Sequence, residues 1–271
     1  MELLGMRIGY HSLSWDWGRD IYTAISEIAA LGFSGTETFA STATWDDAEL
    51  LKLEQHLQKE NLKLPALYYD GALGHPGQRS LHVSAVEAAA KLLQRLGGEV
   101  MVIGGGHPQV IEVDGQQVPM PREREEMART LDRMGQVCAQ YGITLALHPH
   151  RGCICFDEES IDDILAMTDP DLVRFCPDTA HLAMAGMDPV AMITKYADRI
   201  AHVHLKDYEG QEFRGIGKGH LDIKGVFDAL NDSGYDGWVM IELDDQDQQK
   251  AKAQSSYYAV KGAVTGIKGG N

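Results

Sequence analysis

Short apolar or β-branched runs alternate with longer segments of helical periodicity along almost the whole chain. Runs of this kind are typical of buried strands, while apolar residues at helical spacing are typical of amphipathic helices. We therefore predict eight strands, at Met6–His11, Gly35–Phe39, Lys63–Tyr69, Glu99–Gly104, Ile143–His148, Val173–Pro177, Ile200–Lys206 and Gly237–Glu242.

A helix is predicted near each of Ile21–Leu31, Asp46–Lys59, Ser80–Leu96, Arg122–Tyr141, Ser160–Met167, Pro189–Ala197, Ile223–Asp232 and Gln246–Lys261. Glycine follows three of these helices, at Gly32, Gly97 and Gly142, where a left-handed backbone commonly ends a helix. Eight strand–helix alternations indicate parallel strands with helical crossovers, and the count of eight favours a closed (β/α)8 barrel. An open doubly wound sheet is the alternative, but the first strand lacks the glycine-rich phosphate fingerprint that such sheets carry.

Polar side chains of metal-ligand type lie at or near the carboxyl ends of four of the predicted strands. They are His148, Asp178, His204 and Glu242. Because the carboxyl ends of all strands meet on one face of a barrel, we expect these residues to surround one divalent ion. Two imidazoles and two carboxylates suit Mn²⁺ or Co²⁺ first, with Fe²⁺, Zn²⁺ and Mg²⁺ also compatible. The alternative is that each residue only anchors a loop.

Three further residues next to these ligands are candidate catalytic groups, together with Glu242 itself. His181 follows the proposed aspartate ligand by one helical turn, and His150 lies two residues after the first histidine ligand. Either imidazole could serve as an acid or a base. Lys206 closes the segment H-V-H-L-K-D and directs its ammonium into the pocket or pairs with Asp207 at the surface. His202 is expected to orient its neighbour through a hydrogen bond.

Substrate contacts are expected from residues that end the first three strands. The candidates are His11, Glu37, Tyr69 (with Tyr68 and Asp70 as similar candidates) and Trp15 (with Trp17). The carboxylate, imidazole and phenol groups would bind hydroxyls, while the two tryptophans would form a wall for a sugar ring or lie partly in the core.

Composition excludes some classes of partner. The formal charge is −16 over 271 residues, which disfavours a phosphate backbone or an anionic membrane surface and suits a neutral polar ligand or a cation. No uncharged apolar run approaches the length of a membrane span, and Met1–Tyr10 lacks the pattern of a signal peptide. Four cysteines without paired spacing are expected to be reduced. We expect a cytoplasmic protein without nucleic-acid or membrane partners.

The chain is long enough for one barrel domain, which we place at residues 1–264. The polar segment His107–Pro121 contains the turn signal Asp114-Gly115 and is expected to form a small hairpin over the barrel mouth. The glycine-rich residues 265–271 are expected to form a disordered tail.

The chain resembles the xylose-isomerase-like TIM-barrel superfamily of sugar isomerases, epimerases and dehydratases. The resemblance covers nearly the whole chain, through M-R-I-G-Y-H, G-F-S-G-T-E, D-T-A-H, H-V-H-L-K-D, G-I-G-K-G-H-L-D and W-V-M-I-E. Within the superfamily it is similar to the inosose dehydratase family, on H-P-H-R-G, T-D-P-D-L-V, D-T-A-H-L-A-M-A-G-M-D-P-V and Y-A-D-R-I-A-H-V-H-L-K-D. That family carries H-H-H where this chain has His148-Pro149-His150.

This resemblance implies the same four metal ligands and a small cyclic ketone as substrate. Ketose epimerases of the superfamily carry a glutamate at the position of His148 and move a proton with two carboxylates. Since only Glu242 remains of that pair, the implied reaction is dehydration, a β-elimination through an enolate of a cyclic polyol ketone such as 2-keto-myo-inositol.

Three alternatives stay open. One is a lyase or deglycosidase that eliminates the aglycone from a 3-keto-glycoside, and another is a sugar isomerase or epimerase. The third is a sugar-binding or metal-binding barrel without catalysis. Relatives commonly form homo-oligomers, so a dimer or tetramer is compatible with the resemblance.

Overall fold

Eight parallel strands form the central sheet of the protein. The computed structural model describes residues 1–113 and 116–266. The strands are β1 (Met6–His11), β2 (Gly35–Phe39), β3 (Lys63–Tyr69), β4 (Val100–Gly104), β5 (Thr144–His148), β6 (Val173–Phe175), β7 (His202–Leu205) and β8 (Trp238–Ile241). All eight predicted strands are confirmed, with ends that differ by no more than two residues.

The sheet closes on itself as a barrel. Each strand pairs in parallel with the next, and β8 pairs with β1, in the order β7-β8-β1-β2-β3-β4-β5-β6. Two isolated parallel bridges, Phe175 to Ile200 and Asp178 to His204, join β6 to β7. The predicted (β/α)8 barrel is therefore confirmed, and its closing seam is the one held by the shortest run of ladder hydrogen bonds.

Helices surround the sheet. Their bounds are α1 (Ile21–Ala30), α2 (Asp47–Glu60), α3 (Arg79–Leu96), α4 (Glu123–Gln140), α5 (Glu158–Met167), α6 (Thr179–Met184), α7 (Pro189–Lys195), α8 (Ile223–Asp232) and α9 (Gln249–Thr265). Gly32, Gly97 and Gly142 all adopt positive φ at the helix ends, as predicted. A large apolar cluster fills the space between the helices and the sheet.

The barrel interior changes from apolar to polar along the strand direction. The side chains of Met240 and Trp238 occupy the space beside Gly9 of β1 and Gly35 of β2. A Cβ added to Gly9 would lie 2.7 Å from Met240, and one added to Gly35 would lie 2.7 Å from Trp238. Below them, Arg7 pairs with Glu99 at 2.5 Å and closes the amino-terminal end. Polar groups for chemistry are thereby confined to the carboxyl-terminal end.

Several local predictions need correction. Helix α6 was not predicted; it begins where Asp178 accepts a hydrogen bond from the His181 N–H, so the sixth strand stops at Phe175 and not at Pro177. The last helix begins three residues later than predicted and continues to Thr265, where Gly266 ends it with positive φ. A short hairpin not predicted joins Asp207–Glu209 to Glu212–Arg214.

The loop after β4 forms the predicted hairpin, because Val110–Val113 pairs antiparallel with Gln116–Pro119. Its turn signal, Asp114-Gly115, lies outside the described residues, as do residues 267–271 of the expected tail.

Candidate metal centre

Four strand ends bring His148, Asp178, His204 and Glu242 together at the carboxyl-terminal mouth of the barrel. One ligand-type atom from each lies within 4.8 Å of the others. The Nε2 atom of His148 is 3.4 Å from Oδ2 of Asp178, and Nδ1 of His204 is 2.6 Å from Oε2 of Glu242. The first three side chains are fully buried or nearly so, and that of Glu242 is 11% exposed. The predicted ligand set thus converges on one point.

The two oxygens of the Asp178 carboxylate have separate surroundings. Oδ1 accepts the His181 N–H at 2.8 Å and caps helix α6. Oδ2 has no hydrogen-bond partner among the described residues and is directed at the His148 ring. Burial raises the pKa of this carboxyl, but the neighbouring His181 and Lys206 lower it below its usual range. Asp178 therefore offers one ionised oxygen to a ligand while the other is used by the fold.

Orphaned polar atoms and charge both fit a divalent cation here. Within residues 1–113 and 116–266, both ring nitrogens of His148 and Oδ2 of Asp178 are buried without a hydrogen-bond partner. Such atoms are costly unless they bind an ion or water. Around Lys206 and His204, the four carboxylates Glu37, Asp178, Glu242 and Asp244 against the Lys206 ammonium leave a formal charge of −3 when the histidines are neutral. A bound divalent ion would offset most of that charge.

A buried glutamate lies directly behind the His204 ring. Glu37 accepts hydrogen bonds from Nε2 of His202 at 2.8 Å and from Nε2 of His204 at 3.1 Å. Nε2 of His11 is 3.6 Å from the same carboxylate. Burial lowers the pKa of His204, but the Glu37 and Glu242 carboxylates together have a larger opposite effect and raise it to about 10. In the absence of a metal, a proton on His204 would take up part of the negative charge of this cluster.

Lys206 is directed into the mouth and is fully buried. Its Nζ lies 2.7 Å from Glu242, 3.2 Å from Asp244 and 3.8 Å from Asp178, and 4.4 Å from the centre of the Phe213 ring. Burial lowers the pKa of this ammonium, but the surrounding carboxylates raise it above its usual range. Of the two alternatives for Lys206, the structure shows the inward one.

The imidazole rings of the candidate catalytic residues His150 and His181 pack against each other at an angle of 43°. The rings of His150 and His181 lie 4.0 Å apart, and His148 is 6.0 Å from His150. Nδ1 of His181 accepts the backbone N–H of Arg151 at 3.2 Å. Burial lowers the pKa of His181 to about 2, so that ring stays neutral. Nδ1 of His150 contacts the Arg151 carbonyl at 3.0 Å.

A cavity of about 240 Å³ opens over this cluster. Its lining residues are His11, Leu13, Trp17, Phe39, Tyr68, Asp70, His148, His150, Glu242 and Asp244. The predicted substrate contact His11 lies in this lining. Trp15 lies elsewhere: it is buried in the core, where its indole N–H donates to Glu27 at 2.8 Å. Tyr69 also faces away from the cavity, with its hydroxyl 2.6 Å from His82.

Comparison of the sequence with protein-family models identifies the family to which this fold and site belong. The model of the xylose isomerase-like TIM barrel family matches residues 25–259. The chain belongs to the xylose isomerase-like TIM barrel family.

Among curated members of this family, the inosose dehydratase of Lacticaseibacillus casei is 28% identical over 88% of this chain and 86% of its own length. Solved structures that resemble this family member include the apo 3-keto-D-glucoside 4-epimerase YcjR from E. coli, at 19% identity and a TM-score of 0.78, covering 96% of this chain and 99% of that one. The IolI protein with a bound zinc atom has 18% identity and a TM-score of 0.75, with coverage of 96% and 97%. These structural likenesses concern the fold.

Sequence reasoning missed three residues that line this cavity, Leu13, Phe39 and Asp244, and left two pairs undecided. For Asp244, the acidic segment after β8 was a signal. Alternation along β3 turns Tyr68 into the barrel and Tyr69 out, and the loop after β1 places Trp17 at the mouth while Trp15 is buried.

Two general expectations concern the whole protein. All four cysteines are free thiols. Among the helices of the described part of the chain, none has the length and apolar character to cross a membrane.

Proposed function

We propose that this protein is a metal-dependent carbon–oxygen lyase that removes water from a cyclic polyol ketone such as 2-keto-myo-inositol. The observation that carries the proposal is the four-residue cluster of His148, Asp178, His204 and Glu242, in which His148 and Glu242 line the cavity. Because position 148 is a histidine, Glu242 alone remains of the carboxylate pair that moves the proton in ketose epimerases, which favours one-way proton removal over a two-carboxylate proton shuttle. The 28% identity to inosose dehydratase supports the same reaction class.

The residues of the cluster fit a divalent cation, held by His148, Asp178, His204 and Glu242. When bound, that ion would supply a Lewis acid that polarises the substrate carbonyl and acidifies the adjacent C–H bond. We propose Mn²⁺ or Co²⁺, because mixed nitrogen and oxygen ligation suits both.

The acidic pair beside Lys206 is suited to remove the α-proton. Burial raises the pKa of Asp244, Lys206 opposes this, and the Glu242 carboxylate raises the pKa further. Glu242 is instead held well below its usual pKa, because Lys206 and His204 outweigh the effect of its burial. Asp244 is therefore the stronger base of the two, and Lys206 positions both carboxylates at the cavity wall.

His150 is placed to protonate the leaving hydroxyl. Its Nδ1–H donates to the Arg151 carbonyl, so the ring can act as an acid only as an imidazolium that also carries a hydrogen on Nε2. Burial lowers the pKa of His150, which makes that imidazolium a stronger acid. The α-proton passes to the carboxylate, the C–H electron pair forms the new double bond, and the C–O bond breaks as the His150 imidazolium donates its Nε2 proton, which releases water and leaves His150 neutral. His181 packs against the His150 ring and accepts the Arg151 backbone N–H, and so positions the acid.

A second candidate, elimination of the aglycone from a 3-keto-glycoside, is favoured by one observation. A groove of about 330 Å³ adjoins the cavity and shares Phe39, Tyr68 and Asp70 with it. Alanines of the segment after β2 and of α3 form much of its remaining wall. A free cyclitol would leave this groove empty, whereas an apolar aglycone would occupy it.

The proposal is tested by incubating metal-stripped and Mn²⁺-loaded or Co²⁺-loaded protein with 2-keto-myo-inositol in D₂O, followed by proton NMR. Metal-dependent loss of water is the expected result. Deuterium exchange without water loss would redirect the assignment to 3-keto-glycosides or epimerisable ketoses. A protein that binds the ketone without exchange would be a binding barrel. Asp244→Asn should abolish exchange, while Asp228→Asn, on the exposed face of α8, should not.

A further inference from the structure

Glu37 is a buried carboxylate that neither the four-ligand cluster nor the cavity lining includes. Its side chain is fully buried at the end of β2, on the far side of His204 from the cluster. An ionised group in such a place is costly unless it is paired and hydrogen-bonded. Its retention inside the barrel therefore calls for a specific partner.

The partners of Glu37 are imidazole N–H groups. Both of its oxygens lie 3.1 Å from Nε2 of His204, and Oε2 lies 2.8 Å from Nε2 of His202. His11 accepts the Leu13 N–H at Nδ1, so its Nε2 carries the hydrogen, 3.6 Å from Oε1 of Glu37. Three rings thus direct N–H groups at one carboxylate.

This arrangement determines which nitrogen of His204 is free. A carboxylate only accepts hydrogen bonds, so the Nε2 of His204 must carry a hydrogen. Nδ1 faces the Glu242 carboxylate at 2.6 Å and also carries a hydrogen in the metal-free ring, but it belongs to the four-ligand cluster and is the nitrogen at which a metal ion would replace that hydrogen. Histidine ligands commonly donate their second N–H to a carboxylate, which fixes the ring and strengthens metal binding.

We propose that Glu37 is a positioning residue for the metal centre. It fixes the tautomer and the plane of His204 and places a negative charge behind that ligand, while His202 holds the carboxylate in place. Glu37 therefore acts on the metal through His204 and does not contact the substrate. This inference rests on the metal centre of the proposed function, but not on the reaction assigned to it.

A second ion bound by Glu37, His202 and His204 is the competing arrangement, since their ligand atoms also lie within 4.8 Å of one another. The observed separations of 2.8 and 3.1 Å are those of direct hydrogen bonds. A shared second ion would also require His204 to bind metal through both nitrogens. The stoichiometry of bound metal therefore separates the two arrangements.

The test measures Co²⁺ affinity by competition with a chelator, the visible Co²⁺ spectrum, and bound metal per chain by elemental analysis. Glu37→Gln should weaken Co²⁺ binding by about 10-fold to 100-fold while one ion per chain is retained at saturation. Glu37→Asp should recover part of the affinity. Glu99→Gln, which removes a carboxylate at the opposite end of the barrel, is the matched control and should leave the affinity unchanged.

A readout on the unmodified protein protects the test against misfolded variants. In the Zn²⁺-loaded protein, long-range ¹⁵N–¹H correlation should show His204 protonated at Nε2 and metal-bound at Nδ1. The opposite tautomer would overturn the proposal, as would unchanged affinity in Glu37→Gln or a change from two bound ions to one. Normal metal binding without dehydration would refute the proposed reaction and leave the role of Glu37 intact. A native protein that binds no divalent ion would overturn both.

Discussion

Replacing Lys206 by methionine isolates the electrostatics of the barrel mouth. The ammonium is fully buried and lies within 3.8 Å of three carboxylates, Glu242, Asp244 and Asp178. Its removal leaves these charges uncompensated in a region with little water, a change that typically costs about 3–5 kcal/mol. Methionine keeps most of the side-chain volume, so the loss in unfolding free energy would be electrostatic.

The assay is urea unfolding of the metal-free protein, repeated with saturating Mn²⁺. Without metal, the free energy of unfolding of Lys206→Met should be lower than that of the native protein by about 3–5 kcal/mol. With Mn²⁺ part of this loss should be recovered, because the ion adds positive charge to the same cluster. Lys224→Met, which breaks an exposed pair with Asp228, is the matched control and should be indistinguishable from the native protein. A Lys206→Met protein as stable as the native one, or one that gains nothing from Mn²⁺, would refute this reasoning.

Three further outcomes are expected. Metal binding should release a proton from His204, because its pKa in the metal-free protein is raised to about 10. The affinity for metal should therefore rise about tenfold per pH unit below that pH and level off above it. Calorimetry in two buffers of different ionisation enthalpy counts the proton, and a pH-independent affinity would contradict the assignment. Trp17→Ala should raise KM with little effect on the free energy of unfolding, because Trp17 lines the cavity. Trp15→Ala should lower the free energy of unfolding by about 3–5 kcal/mol, because Trp15 is buried in the core. The reverse pattern in steady-state kinetics and urea unfolding would exclude Trp17 as a wall of the substrate site. Gly104→Ala should lower kcat/KM, because the added Cβ would lie 2.4 Å from the Tyr68 hydroxyl and displace it from the cavity; unchanged kinetics would remove Tyr68 from the site.

The parts of this structure that sequence could predict are those set by periodicity. Strand and helix patterns located all eight strands, and the topology of a parallel barrel then placed His148, Asp178, His204 and Glu242 at one end. No contact between these residues had to be known, because strand ends in a closed barrel necessarily meet.

The remaining features depend on atoms that a pattern does not resolve. Which of Tyr68 and Tyr69 faces inward depends on the register shift between β2 and β3. Helix α6 has six residues, too few for a recognisable helical pattern of apolar positions, and only the cap formed by Asp178 marks its start. Glu37 was predicted as a hydroxyl-binding group because the sequence does not show that three imidazoles surround it.

The seam between β6 and β7 has a bearing on how the molecule holds together. Asp178 and His204 form one of the two bridges that close the barrel there, and both belong to the four-ligand cluster. An ion bound by both residues would link β6 to β7 at the place where the barrel has the fewest strand-to-strand hydrogen bonds. Local opening of the seam, an event of lower free energy than global unfolding, would then be suppressed by the same ion that serves the chemistry. The closure of the barrel between β6 and β7 and the catalytic activity would then both depend on the bound metal ion.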